Sequence, residues 1–163
     1  VFLGMMGSGK SSIGLQIAKK LKLTFIDIDK EIEKELGISI KKIFQTKGEN
    51  FFRKLEEKIT LKKLKLDSVV ISLGGGAFTN KLIRKEVLRS SVSFWLNWNT
   101  TVLLKRIRYS KKRPLAFNAT DNQLVDLIKK RNSIYSKALY EIKCDNLSKK
   151  QVINKVLKIY ETH

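Results

Sequence analysis

Eight residues near the start of the chain, Gly4-Met5-Met6-Gly7-Ser8-Gly9-Lys10-Ser11, have the spacing G-x-x-x-x-G-K-S. These residue types suit the binding of a phosphate chain. Glycines permit tight turns that aim successive backbone amides into one concavity. A helix that follows adds its N-terminal amides and the positive end of its dipole. Lys10 is placed to reach the β- and γ-phosphates of a nucleoside triphosphate, and the Ser11 hydroxyl to ligate Mg²⁺. Gly7, Ser8, Gly9 and Ser12 complete the candidate nucleotide-binding set. The loop implies a nucleotide but leaves the reaction open, because ATPases, GTPases and small-molecule kinases all use it.

Other residues narrow the chemistry. In the stretch Phe25-Ile26-Asp27-Ile28-Asp29, two carboxylates stand two residues apart in an apolar run. Read as a strand, this stretch puts Asp27 and Asp29 on one face. Burying a carboxylate without a partner is costly, so the pair needs either water or a cation. Gly74, Gly75 and Gly76 follow the apolar run Ser68–Leu73, where no carboxylate is available to orient a metal. The triple glycine fits a turn that needs positive φ, or a close backbone approach to a ligand with amides as donors. Arg53 and Glu56 lie three apart on a predicted helix. They form either a surface ion pair or a guanidinium fork for a ligand carboxylate, held in place by the glutamate. Phe44 and Phe52 are core residues or the apolar walls of a ring-shaped pocket.

The elements that must position these groups alternate along the chain. A short apolar run at Val1–Gly4 precedes a helix with Ile13, Ile17 and Leu21 on one face. A second strand runs from Thr24, followed by a long helical stretch from about Lys30 to Leu66. Strands are predicted at Ser68–Leu73, Ser91–Trp98 and Tyr140–Cys144, and helices at Asn80–Arg89 and from Thr101. Thr120-Asp121-Asn122-Gln123 and Ser148-Lys149-Lys150-Gln151 are capping boxes that open the last two helices. Strands alternating with helices predict an α/β fold with a five-stranded parallel sheet in one domain spanning residues 1–163. Parallel sheets carry their sites at the carboxyl ends of the strands, where Asp27 and Asp29 fall.

Composition removes several alternatives. With one cysteine, Cys144, and one histidine, His163, disulfide frameworks, Cys-based zinc sites and histidine triads are not expected. No run approaches the roughly 18–20 apolar residues of a membrane span, and no signal peptide is visible, so no membrane association and a cytoplasmic location are expected. The net charge of +19 fits either a lysine-rich surface scattered over the helices without a functional role or an anionic partner. It keeps a nucleic-acid-stimulated ATPase as an alternative, although the basic residues form no aromatic-interleaved stripe and no nucleic-acid partner is expected.

Taken together, the chain resembles shikimate kinase over nearly its whole length. The resemblance rests on GMMGSGKSSIG, FIDIDKEIEKELGISIKKIF, GENFFRKLE, SLGGG, RIRYSKKRPL and RNSIYSKA, in the family's order. It implies the nucleoside-monophosphate-kinase type of P-loop fold, with helices flanking the five-stranded sheet. It also implies transfer of the γ-phosphoryl of ATP to the 3-hydroxyl of shikimate in aromatic amino-acid biosynthesis. Another small carboxylated polyol or sugar acid, such as gluconate, is the alternative acceptor.

The resemblance places Asp27 near Mg²⁺ with Ser11, and makes Asp29 the ligand and base of the shikimate hydroxyl. It gives Arg53 and Arg131 the substrate carboxylate, helped by the Gly75 amide in a turn shaped by Gly74 and Gly76. It puts Arg106 on the adenine, and Arg113 on the phosphates from a lid at 109–119. Residues 29–57 form the substrate-binding region, and a monomer is expected. Ala116 and Ser133 depart from the family's usual leucine and proline, which bears on lid motion and on the backbone that carries Arg131.

Overall fold

The strands are short and all parallel: β1 Phe2–Leu3, β2 Thr24–Asp27, β3 Val69–Ser72, β4 Phe94–Asn97 and β5 Tyr140–Lys143. The structure is a computed structural model and describes residues 1–109 and 119–163. The strands lie in the order β2-β3-β1-β4-β5. Among the described residues seven α-helices surround them: α1 Lys10–Leu21, α2 Ile28–Leu36, α3 Ile40–Lys63, α4 Lys81–Ser90, α5 Thr100–Tyr109, α6 Asp121–Tyr135 and α7 Lys149–Glu161. The five-stranded parallel sheet expected from the sequence is therefore present. None of the described helices is long and apolar enough to cross a membrane.

Adjacent residues of one strand feed opposite faces of the sheet. Leu3, Ile71 and Trp95 join one apolar cluster with side chains of α2 to α6, while Phe2, Val70 and Phe94 join another with α1 and α7. Covering both faces with helices is what a parallel sheet requires. The chain leaves β1, passes beyond β3 to reach β2, and later continues on the other side of β1. The carboxyl end of β1 is thus the point where the winding reverses, and the glycine-rich loop leaves the sheet there.

Two boundaries differ from the sequence reading. The second strand ends at Asp27, whose carboxylate accepts the Lys30 amide at 3.3 Å and caps α2. Asp29 therefore sits in the first turn of a helix and does not share a strand face with Asp27. Helix formation wins here because the aspartate is a strong N-cap and Ile28 and Ile32, four apart, are both buried. The long helix expected from Lys30 to Leu66 is divided. Gly37 ends α2 at φ 67°, Ser39 caps α3, and α3 is itself broken at Gly48, where φ is 77° and ψ 171°. Trp98 lies one residue beyond β4 rather than within it. Both predicted capping boxes form, with Thr120 and Gln123 opening α6 and Ser148 and Gln151 opening α7.

Candidate active site

The loop Gly4–Ser11 turns on three glycines with positive φ: Gly4 at 137°, Gly7 at 81° and Gly9 at 90°. A side chain at any of them would be strained. Gly9 is also the N-cap of α1, so no side chain caps this helix and its first turn contains no acidic residue. Helices α2, α3, α4, α6 and α7 instead carry side-chain caps. The first-turn amides and dipole of α1 suit an anion. Lys10 is buried, and its Nζ donates to the carbonyls of Gly4 and Met5, each at 2.9 Å. These bonds hold the ammonium inside the loop curve. Gly7, Gly9, Lys10, Ser11, Ser12 and Asp27 line one cleft together with Asp29 and Gly75.

A second cleft adjoins the first. Its walls include Arg53, Glu56, Arg131, Phe44 and Phe52, and it too is bounded by Asp29 and Gly75. The phenyl rings of Phe44 and Phe52 pack with centroids 4.8 Å apart. They serve both expected roles at once: Phe52 is buried, and both line the cleft. The phosphate cleft and the cation-lined cleft thus meet at Asp29 and Gly75.

The two arginines are held differently. Arg53 Nη1 donates to Glu56 at 2.7 Å, while its Nε and Nη2 donate to Glu49 at 3.2 and 3.0 Å. Burial works against the Arg53 charge, but Glu56 and Glu49 outweigh it and raise its pKa. Glu56 is only 2% exposed, and its Oε1 has no hydrogen-bond partner among the described residues. Burial pushes the Glu56 carboxyl above the usual range; Arg53 pulls it back in part and the Asp29 charge pushes it further up. Arg131 is 8% exposed on α6, and its Nη1 contacts Met5 Sδ at 3.5 Å. Four residues on, the Tyr135 hydroxyl donates to the Gly75 carbonyl. Burial pushes the Tyr135 hydroxyl up to about 12, so it remains a donor at neutral pH. The helix is continuous through Ser133, whose hydroxyl donates to the Lys130 carbonyl at 2.7 Å. Serine retains the backbone donor that a proline lacks.

The triple glycine has a reason other than a positive-φ turn, since none of the three has φ in that region. What they provide is space. A Cβ on Gly76 would lie 2.5 Å from Arg53 Nη1, and one on Gly74 would overlap Glu56 Oε1 and approach Asp29 Oδ1 at 2.9 Å. A Cβ on Gly75 would be 3.3 Å from the Met6 amide and 3.6 Å from Arg131 Nη1. The glycines let the chain's own charged side chains close over this turn.

Most of the site residues expected from sequence come together. Lys10, Ser11, Ser12, Asp27, Asp29, Arg53, Gly75, Gly76 and Arg131 line the two joined clefts. Gly74 packs beneath Asp29 and Glu56. Ser8 is buried in the loop. Arg106 lies beside the loop, with its guanidinium 3.7 Å from the Trp98 ring centroid. Arg113 and most of the expected lid at 109–119 lie outside the described residues. Sequence reasoning missed Glu49, Tyr135 and Trp98. The first two were accessible, because each stands four residues from an arginine of the site on the same helix. Trp98 carried no such signal.

A glycine-rich loop between the central strand and α1, joined to a cation-lined cleft at the carboxyl edge of this sheet, defines a P-loop phosphotransferase of the nucleoside-monophosphate-kinase type. The shikimate kinase family model matches residues 6–161. A shikimate kinase of Persephonella marina is 36% identical over 155 residues, covering 95% of this chain and 94% of that protein. One from Bartonella quintana is 36% identical over 164 residues, covering 100% of this chain and 78% of that protein. The solved shikimate kinase from Acinetobacter baumannii, in complex with shikimate, superposes with a TM-score of 0.92 at 29% identity, over 99% of this chain and 91% of that one. The chain belongs to the shikimate kinase family, whose members are ATP-dependent kinases. A gluconokinase from Sinorhizobium meliloti, at 15% identity and a TM-score of 0.60, shares the fold alone.

Proposed function

We propose that this protein transfers the γ-phosphoryl of ATP to the 3-hydroxyl of shikimate, giving shikimate 3-phosphate and ADP. The observation that carries this reading is the junction of the two clefts at Asp29, with Arg53 and Arg131 lining the acceptor side. Two guanidinium groups in one small cleft select an acceptor that bears a carboxylate, because a planar fork matches it bidentately. The Phe44 and Phe52 rings supply an apolar wall for a carbocycle.

In the proposed roles, Gly7, Ser8, Gly9, Lys10, Ser11 and Ser12 hold the phosphates, and Arg106 meets the adenine. Arg53, Arg131 and the Gly75 amide hold the carboxylate, with Gly74 and Gly76 leaving them room. Asp29 aligns the attacking hydroxyl and takes its proton, and Arg113 is assigned to the phosphates from the lid. Phosphoryl transfer needs position and positive charge more than covalent help from the protein. Lys10 and the α1 amides supply that charge on the donor side.

The donor set fits Mg²⁺. Ser11 and Asp27 offer hard oxygen ligands in one cleft, and among the described residues no cluster of three or more His, Cys, Asp or Glu forms a protein cage. Mg²⁺ ordinarily takes one or two protein oxygens and completes its shell with phosphates and water. When bound with ATP it neutralises charge on the β- and γ-phosphates. We place the enzyme in the cytoplasm as a monomer.

A coupled assay of ADP formation tests the reading. Turnover should require shikimate and should fail with gluconate or with an acceptor that lacks the carboxylate. ADP formation that ignores shikimate and rises with RNA or DNA would overturn it in favour of a nucleic-acid-stimulated ATPase.

A further inference from the structure

Trp98 is the first residue beyond β4, the neighbour of β1 in the sheet, so it stands beside the loop that leaves β1. Its indole N–H donates to the Ser8 carbonyl of that loop at 2.9 Å. Its ring carries the Arg106 guanidinium at 3.7 Å, closer than most cation–π contacts require. Arg106 in turn reaches the Gly7 carbonyl at 3.5 Å, and a Cβ on Gly7 would lie 3.3 Å from Arg106 Cβ. Trp98, Arg106 and two consecutive loop carbonyls therefore form one closed set of contacts. The chain that follows the indole is anchored as well. The next residue, Asn99, donates its amide to Asp145 at 2.8 Å and accepts the Thr101 amide at 2.9 Å as α5 begins.

We propose that Trp98 is a positioning residue for the nucleotide: its ring presents Arg106 to the base, and its N–H holds the phosphate loop in register with that arginine. This rests on the proposed placement of adenine at Arg106. An arginine on an exposed helix face loses rotamer entropy when it stacks on a ligand. Here the indole has already confined one face of the guanidinium plane, so less entropy is lost when a base meets the other face. The bond to Ser8 couples the base subsite to the phosphate subsite through a single side chain.

Equilibrium binding of ATP to the full chain, measured by calorimetry without acceptor, tests the assignment. Trp98→Leu should weaken ATP by up to about tenfold, the cost of ordering one rotamer-rich side chain that the indole no longer holds in place before binding. The KM for shikimate at saturating ATP should stay within about twofold. Trp98→Phe restores a ring beneath Arg106 without the N–H and should recover part of the loss; it also serves if Trp98→Leu folds poorly. In an Arg106→Leu background, Trp98→Leu should cost less than half as much, because its partner is gone. ATP affinity unchanged in a Trp98→Leu protein of wild-type melting temperature would overturn the proposal. So would a full, additive loss in the double variant. A wild-type protein that binds ATP but shows no shikimate-dependent turnover would refute the functional reading alone, because the role of Trp98 is read from ATP binding without acceptor.

Discussion

Asp29 and Glu56 hold their carboxylates over the same glycine: a methyl group at Gly74 would overlap Glu56 Oε1 and lie 2.9 Å from Asp29 Oδ1. The two acids come from α2 and α3, and the glycine from the turn that follows β3. The register that pairs Asp27 with Ser72 brings these segments together. Glu56 ties this junction to Arg53, and Asp29 opens it to the phosphate cleft.

Gly74→Ala should therefore damage turnover while leaving the fold intact. Its backbone does not need positive φ, so the added methyl acts through Asp29 and Glu56. We expect kcat to fall by about 100-fold, the scale for a displacement of about 1 Å at a reacting group. ATP affinity should hold within about twofold. Steady-state kinetics beside calorimetric ATP binding would show this, and near-normal kcat would mean that Asp29 tolerates displacement.

The two aspartates should separate by phenotype. Asp29→Asn should cost about 10²–10⁴-fold in kcat with ATP binding preserved. Asp27→Asn should mainly raise the Mg²⁺ concentration needed for half-maximal rate. Titrating Mg²⁺ for both variants provides the check. An Asp29→Asn enzyme of near-wild-type turnover would remove that residue from the chemistry.

Arg53→Lys keeps the charge but loses the planar fork that spans Glu56 and Glu49. The KM for shikimate should rise about 10- to 100-fold, the scale of a charge-assisted hydrogen bond. Tyr135→Phe removes the hydroxyl's bond to Gly75 and its hydrogen bond with Arg131. It should raise the same KM a few-fold, in line with about 1 kcal/mol for a neutral hydrogen bond. Unequal kcat effects with unchanged KM would argue against both roles.

Glu56 predicts a pH dependence of stability. Its folded-state pKa lies above the ordinary 4.5, through burial first and the Asp29 charge in addition. Between those two values the folded chain binds more protons than the unfolded chain, so the contribution of Glu56 to stability falls as pH rises through that window. Glu56→Gln takes up no proton in either state. The stability of wild type relative to this variant should shrink as pH rises above 4.5, as read from urea unfolding at several pH values. A difference that grows with pH would contradict the raised value.

Patterns within short stretches of the chain specify the phosphate loop, the alternation of strands and helices, both capping boxes and most of the residues lining the joined clefts. These are legible because they depend on local rules: glycine at forced φ, hydrophobic period, and hydroxyls that cap helices. The family motifs extended that reach to Arg131, which no local rule connects with Arg53. Local competition misled the reading at Asp29. A strand and a helix N-terminus both accommodate FIDID, and burial of Ile28 and Ile32 against the rest of the core selected the helix. Long-range packing explains why Gly74 and Gly76 have no side chains, since Glu56 and Arg53 approach them from another element. It alone placed Trp98 on Ser8, 90 residues away in the chain. Contacts between residues distant in sequence depend on how strands order in the sheet, and no short stretch of sequence encodes that order.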